Sequence, residues 1–170
     1  MSALKKIAVP KMQLAEPGAS KHVLWTRPGY LVRRLNQIHY AFFYEECHAE
    51  SMTPVQYGML TVLAVNPGID QTTLCQELGL DRTTTADVVK RLESRGYISR
   101  QIDPSDRRVR RAFLTAEGLR VMSVLQGGMA KSQERLLQPL SEADRSTFMR
   151  LLSRLVHANN QYSRAAVGGI

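Results

Sequence analysis

Four arginines crowd one short run, "DPSDRRVRRAFLT" from Asp103 to Thr115: Arg107, Arg108, Arg110 and Arg111. Guanidinium groups are planar, permanently charged forks suited to phosphate and carboxylate oxygens, and four of them side by side repel one another until an anion arrives. Asp-Pro followed by Ser-Asp is tight-turn chemistry, so the run reads as a hairpin whose tip carries Arg107 and Arg108. A second cluster stands upstream. In "DRTTTADVVKRLESRG", Arg82, Thr83 and Thr84 fall in the first turn after Asp81, and Lys90 and Arg91 follow off the apolar stripe. An arginine at the positive end of a helix dipole gains nothing there unless an anion binds.

The elements that must hold these groups follow from periodicity and caps. Leu31, Leu35, Ile38 and Phe42 recur at helical spacing and predict a first helix from about Tyr30 to Ala49. "TPVQYGMLTVLAVNPG" opens with Thr53 as N-cap, Pro54 at the first helical position and Gln56 as the return partner of a capping box. "DQTTLCQELGL" is a short helix from Asp70 to the left-handed stop at Gly79. Asp81 caps the next helix, whose stripe is Thr85, Val88, Val89 and Leu92, and Gly96 ends it. Two strands, about Ile98 to Gln101 and Val109 to Leu114, flank the basic turn. A long helix runs from Thr115 toward Leu137, and Ser141 caps a last one with Phe148, Leu151, Leu152, Leu155 and Val156 on one face.

The expected fold is therefore mainly α with a small β-hairpin wing. A short helix turned at Gly79 into a helix with a polar N-terminus is a helix-turn-helix pattern, and the basic hairpin after it is a wing. The second helix of such a motif enters the major groove, where Arg suits guanine O6/N7 and Thr offers a hydroxyl or a methyl contact. Arg107 and Arg108 would reach the adjacent minor groove, while Arg110 and Arg111 on the strand meet phosphates. Asp106 would hold an arginine in place, and Asp103 with Pro104 would simply form the turn.

Composition agrees with an anionic partner. The chain has 170 residues and a formal charge of +8. The charge is uneven: nine Lys/Arg against five Asp/Glu between Asp81 and Leu114, but two against five between Tyr30 and Leu80. Residues 1–29 are basic, Pro/Gly-punctuated and aperiodic, and read as a flexible arm. Residues 51–115 read as the DNA-binding lobe, and the outer helices in residues 30–50 and 116–170 as dimerisation helices, because their apolar stripes have no obvious partner within a small winged-helix core. No apolar run is long enough to span a membrane or form a signal-peptide core, and Cys47 and Cys75 suggest no disulfide framework, so a cytoplasmic protein without a membrane partner is expected. No catalytic constellation or phosphate loop is present and His22, His39, His48 and His157 are scattered, so neither an enzyme nor a cofactor is expected.

"DPSDRRVRRAFLTAEG", preceded by "GLDRTTTADVVKRLESRGYISR", resembles the winged-helix segment of the MarR family of bacterial transcription regulators, over roughly residues 30–162. The resemblance implies DNA contact by Thr83, Thr84 and the wing arginines, with Asp106 bracing the wing. Asp87 departs from it, standing where many members carry a basic or polar DNA-contacting residue. The resemblance also implies a homodimer packed through the outer helices, a pseudo-palindromic double-stranded DNA operator and a repressor released by a small-molecule effector, often an aromatic acid, a phenolic or a coenzyme A thioester. Candidates for the effector are Arg33, Arg34, His39, Tyr40, Phe43 and Tyr44, with Tyr40 and Phe43 sandwiching a ring and Arg34 or His39 meeting an anionic group. The alternatives are a metal-responsive regulator using Glu45, Glu46, Cys47, His48 and Glu50, a thiol sensor using Cys47, and an effector-free architectural DNA protein. No resident metal site is expected.

Overall fold

The computed structural model describes residues 20–163, with side chains from Val23 onward. Residues 1–19 of the expected basic arm lie outside the described residues. The arm's last part departs from the flexible reading: helix α1 spans Ser20–Trp25. Helix α2 spans Pro28–Glu46, and a 3-10 turn follows at His48–Glu50. The first helix thus starts and stops earlier than its periodicity suggests. The chain breaks at Cys47 and passes through Ser51 in a left-handed conformation (φ 45°).

Two compact units divide within α2, one ending at Gln37 and the other beginning at Ile38. In the first, Trp25 meets Tyr30 edge-on at 5.6 Å, Arg33 lies over the Tyr30 ring at 5.3 Å, and Arg34 donates to Gln37 at 3.1 Å.

The second unit holds the core. Helix α3 (Pro54–Val65) begins with the expected capping box, in which the Gln56 amide N–H donates to Thr53 Oγ1 at 3.2 Å and the Thr53 N–H donates to Gln56 Oε1 at 2.9 Å. Strand β1 (Ile69–Asp70) leads into α4 (Gln71–Leu78), which stops at Gly79 with φ 61°. Helix α5 (Arg82–Ser94) is followed by β2 (Ile98–Ile102), β3 (Arg110–Leu114), α6 (Ala116–Leu137) and α7 (Glu142–Asn159), and a 3-10 turn covers Asn160–Tyr162.

Strands β2 and β3 pair antiparallel from Ile98↔Leu114 to Ile102↔Arg110. The hairpin has a third strand: β1 adds to the free edge of β3 with Ile69 opposite Ala112. Two residues are too few for periodicity to reveal a strand. Phe43, Met59, Leu60, Leu63, Leu74, Val89, Leu92, Val121 and Leu125 form one buried cluster, so α3, α4, α5 and α6 share a core. Within α2 the buried residue is Phe43, while Leu31 and Ile38 of the expected stripe are exposed. Helix α7 has no buried residue at all.

Candidate nucleic-acid interface

Helix α5 owes its position to one aspartate and one buried stripe. Asp81 accepts from the Thr84 amide at 2.8 Å and from the Thr84 hydroxyl at 2.7 Å, bonds that hold its carboxyl below the usual carboxylate range. Thr85 turns inward and donates from Oγ1 to the Asp81 carbonyl at 2.9 Å. With Thr85, Val89 and Leu92 buried, the opposite face presents Thr83, Asp87, Lys90 and Arg91, and Arg82 stands exposed in the first turn. The Thr84 hydroxyl proton is committed to the cap, which leaves its methyl group and oxygen lone pair for a base. Arg91 pairs with Asp87 at 2.9 Å.

The C-terminal end of α5 is moored at two points. Arg100 of β2 donates from Nε to Glu93 at 3.0 Å. Arg95 donates from Nη2 to the Glu50 carbonyl at 2.6 Å, from Nη1 to the Ser51 carbonyl at 3.2 Å and from Nη2 to the Tyr97 hydroxyl at 2.8 Å. Arg120 of α6 reaches Glu50 at 3.1 Å and Glu117 at 2.7 Å. The turn after α2, the end of α5 and the start of α6 are thereby joined.

The wing turns on Asp103, and this corrects the view of it as a mere turn former. Its carboxylate is buried and accepts from the Ser105 amide at 2.7 Å, the Ser105 hydroxyl at 2.5 Å, the Asp106 amide at 3.3 Å and the Arg111 Nε. The Ser105 bonds foremost, then Arg111, hold its pKa far below the carboxylate norm. Arg111 also donates from Nη1 to the Gly68 carbonyl at 2.9 Å. Expected to meet phosphate, Arg111 also ties the wing to β1, because a buried carboxylate requires a counter-charge, while its side chain remains 45% exposed. Asp106 does brace an arginine: Arg108 donates to it from Nε at 3.2 Å and Nη2 at 3.3 Å, while the Arg108 side chain stays 92% exposed. Arg107 and Arg110 are exposed, and neither has an ion-pair partner among the described residues.

The effector candidates are less uniform. Phe43 is fully buried in the core, 6.3 Å from Tyr57, so it cannot sandwich a ligand ring without displacing core packing. Tyr40 meets His39 edge-on at 5.8 Å and Tyr44 at 6.1 Å. His39 Nδ1 is buried with no hydrogen-bond partner among the described residues, and burial lowers the ring's pKa. Arg33 and Arg34 belong to the first unit.

The acidic and thiol groups after α2 do not converge on a metal: among the described residues no group of three or more His, Cys, Asp or Glu does so. Glu45 and Glu46 both pair with Arg135, at 2.8 and 2.6 Å, His48 donates from Nδ1 to the Glu45 carbonyl at 2.9 Å, and Glu50 faces Arg120. Cys47 is buried, and desolvation followed by the Glu46 charge raises its pKa, which disfavours the reactive thiolate. These ion pairs engage the carboxylates that the metal alternative would use, and burial of the Cys47 side chain counts against the thiol alternative.

A capped helix packed against a second capped helix, followed by a braced basic hairpin, defines a winged helix-turn-helix DNA-binding protein. A model of the MarR family matches residues 50–109. The chain is 32% identical over 127 residues to the transcriptional regulator HosA of Escherichia coli O111:H-, covering 75% of this chain and 93% of HosA. Its fold matches the PcaV transcriptional regulator from Streptomyces coelicolor, solved in complex with its natural ligand, at TM-score 0.74 and 40% identity, over 79% of this chain and 95% of PcaV. It also matches the transcriptional repressor CouR, bound to a 23-mer DNA duplex, at TM-score 0.75 and 26% identity, over 84% and 99% of the two chains. The chain belongs to the MarR family of transcriptional regulators. Among the described residues no helix is long and apolar enough to cross a membrane.

Sequence reasoning missed Arg95, Tyr97 and Gly68, and considered Glu50 only as a metal ligand rather than as a partner of Arg95 and Arg120. Their roles depend on partners more than 40 residues away, apart from the Arg95–Tyr97 contact. The Asp103–Ser105 spacing was the one local signal, since aspartate commonly bonds the backbone two residues on.

Proposed function

We propose that this protein is a cytoplasmic homodimeric repressor that binds a pseudo-palindromic operator through α5 and the wing and is released by a small anionic aromatic molecule. The observation that carries the DNA part is the set of exposed cations that have no ion-pair partner among the described residues, Arg82, Lys90, Arg107 and Arg110, spread over α5 and the wing. Thr83 and Thr84, with Arg91 and Arg108 held by their aspartates, complete the contact set. The structure of CouR bound to a DNA duplex supports the same use of the fold.

Dimerisation is supported by α7, whose apolar residues are left uncovered by the described residues: Leu155 is 61% exposed, and Met149, Leu151 and Val156 are close behind. A two-fold partner buries such a face and sets two recognition helices about 34 Å apart, one turn of duplex. Leu155→Glu should give monomers by sedimentation that no longer hold a full operator; an unchanged dimer would exclude α7 from the interface.

Release by a ligand is supported by the ligand-bound state of PcaV and by the unpartnered His39 Nδ1 beside Tyr40. A ligand acts only through differential affinity for a conformer whose recognition helices no longer fit the duplex, and operator DNA must weaken ligand binding by the same factor, typically ~5- to 150-fold. The test is a titration of the gene's own promoter against random duplex, with and without aromatic acids and their coenzyme A thioesters. Specific binding reversed by one of these, and a Tyr40→Ala variant needing more of it at equal operator affinity, supports the reading. Equal affinity for random DNA, or specific binding that no such molecule reverses, defeats the regulator and effector parts respectively, the latter leaving an effector-free DNA protein.

A further inference from the structure

The exposed face of α5 contains a carboxylate that neither its fold nor its general affinity for DNA accounts for. Asp87 lies one turn beyond Thr83 on the face opposite the buried Thr85, Val89 and Leu92, with its side chain 55% exposed. Its partner is Arg91, one turn further on and 67% exposed. An exposed pair of this spacing adds little to helix stability. The other carboxylate within α5, Glu93, is held by Arg100 of β2. Asp87 is thus the acid that α5 turns outward, on a surface that otherwise collects cations.

Against a polyanion this placement weakens binding to every sequence alike unless the carboxylate finds a donor. Phosphates and sugars' ether oxygens offer none. In the major groove the donors are the exocyclic amino groups, N4 of cytosine and N6 of adenine, and an aspartate accepts from such a group while being repelled by the acceptor edges of guanine and thymine. Resting on the reading of α5 as the helix that enters the groove, we propose that Asp87 is a specificity-determining residue that accepts a hydrogen bond from a major-groove amino group. Arg91 is its positioning partner: the ion pair fixes the carboxylate's rotamer and leaves further guanidinium N–H groups for a neighbouring guanine or phosphate.

The test uses the full-length protein, Asp87→Ala and Asp87→Asn, each selected against a randomised duplex pool and then titrated. Wild type should enrich one amino-bearing base per half-site. In Asp87→Ala the discrimination at that position, of order 5- to 150-fold for a good base contact, should collapse toward one while other positions hold, and affinity for non-cognate duplex should rise several-fold. Asp87→Asn retains an acceptor oxygen and should keep part of the preference. Duplexes in which 2-pyrimidinone replaces cytosine, or purine replaces adenine, remove the amino group alone; the substitution at the recognised base should weaken wild type and leave Asp87→Ala unmoved. An Asp87→Ala variant with the wild-type base profile would overturn the proposal while leaving the regulator reading intact. A wild type with no sequence preference would overturn the regulator reading and this proposal with it.

Discussion

The guanidinium of Arg95, just past the end of α5, donates to the main-chain carbonyl of Glu50 at 2.6 Å, bridging 45 positions of sequence. With its bonds to the Ser51 carbonyl and the Tyr97 hydroxyl, and its stacking 4.6 Å from the Tyr97 ring, this one side chain ties the end of α5 to the turn that leaves α2.

Arg95→Ala should lower stability by about 1.5–3 kcal/mol, the range for hydrogen bonds to a charged group. Arg95→Lys should not restore it, because a single ammonium cannot reproduce the forked contacts. Urea unfolding monitored by circular dichroism checks both, and a lysine variant as stable as wild type would refute the forked geometry.

The wing arginines should separate into two kinds. Arg107→Ala and Arg110→Ala should leave the thermal midpoint almost unchanged and each reduce the slope of log K against log salt by about one, as expected for one lost phosphate contact. Arg111→Ala should lower the midpoint first, since it leaves the Asp103 carboxylate buried without its counter-charge. Salt-dependent anisotropy titrations beside melting curves distinguish the two.

Acid should reach Asp103 late. Its carboxyl is held far below the ordinary value of 3.8, so its contribution to stability is complete above that value and is lost only as pH falls through and below it. The stability gap between wild type and Asp103→Asn should stay constant from about pH 7 to pH 5 and shrink below about pH 4. Unfolding curves across that range test it; a gap closing near pH 6 would point to another group.

Adjacent glycines in α6 should respond in opposite ways. A Cβ at Gly128 would lie 2.2 Å from the Glu46 carbonyl oxygen and 3.1 Å from Cys47 Sγ, whereas one at Gly127 meets nothing within 4 Å. Gly128→Ala should cost about 1–3 kcal/mol through forced separation of the backbones. Gly127→Ala should gain up to about 1 kcal/mol from helix propensity. Equal effects in calorimetry would contradict this close crossing.

What the sequence determined by itself was everything encoded within a turn or two of chain. Thr53 and Gln56, Asp70, Asp81, Thr115 and Ser141 mark helix starts because a cap is a contact between residues two or three apart. Gly79 marks a stop because only a left-handed residue closes that turn. The order of these signals, with the arginine hairpin after them, was enough to identify a helix-turn-helix with a wing. Tertiary structure decided which charged groups face outward. Arg110 and Arg111 are sequence neighbours of one type, yet one has no ion-pair partner among the described residues and the other is drawn to a buried aspartate and to the Gly68 carbonyl 43 positions away. Likewise helical spacing selects Phe42 for the apolar stripe of the first helix, but it is Phe43 that meets the core, against Tyr57 of α3. Long-range partners are chosen by packing and by the cost of burying an unpaired charge, and neither quantity is written in local spacing.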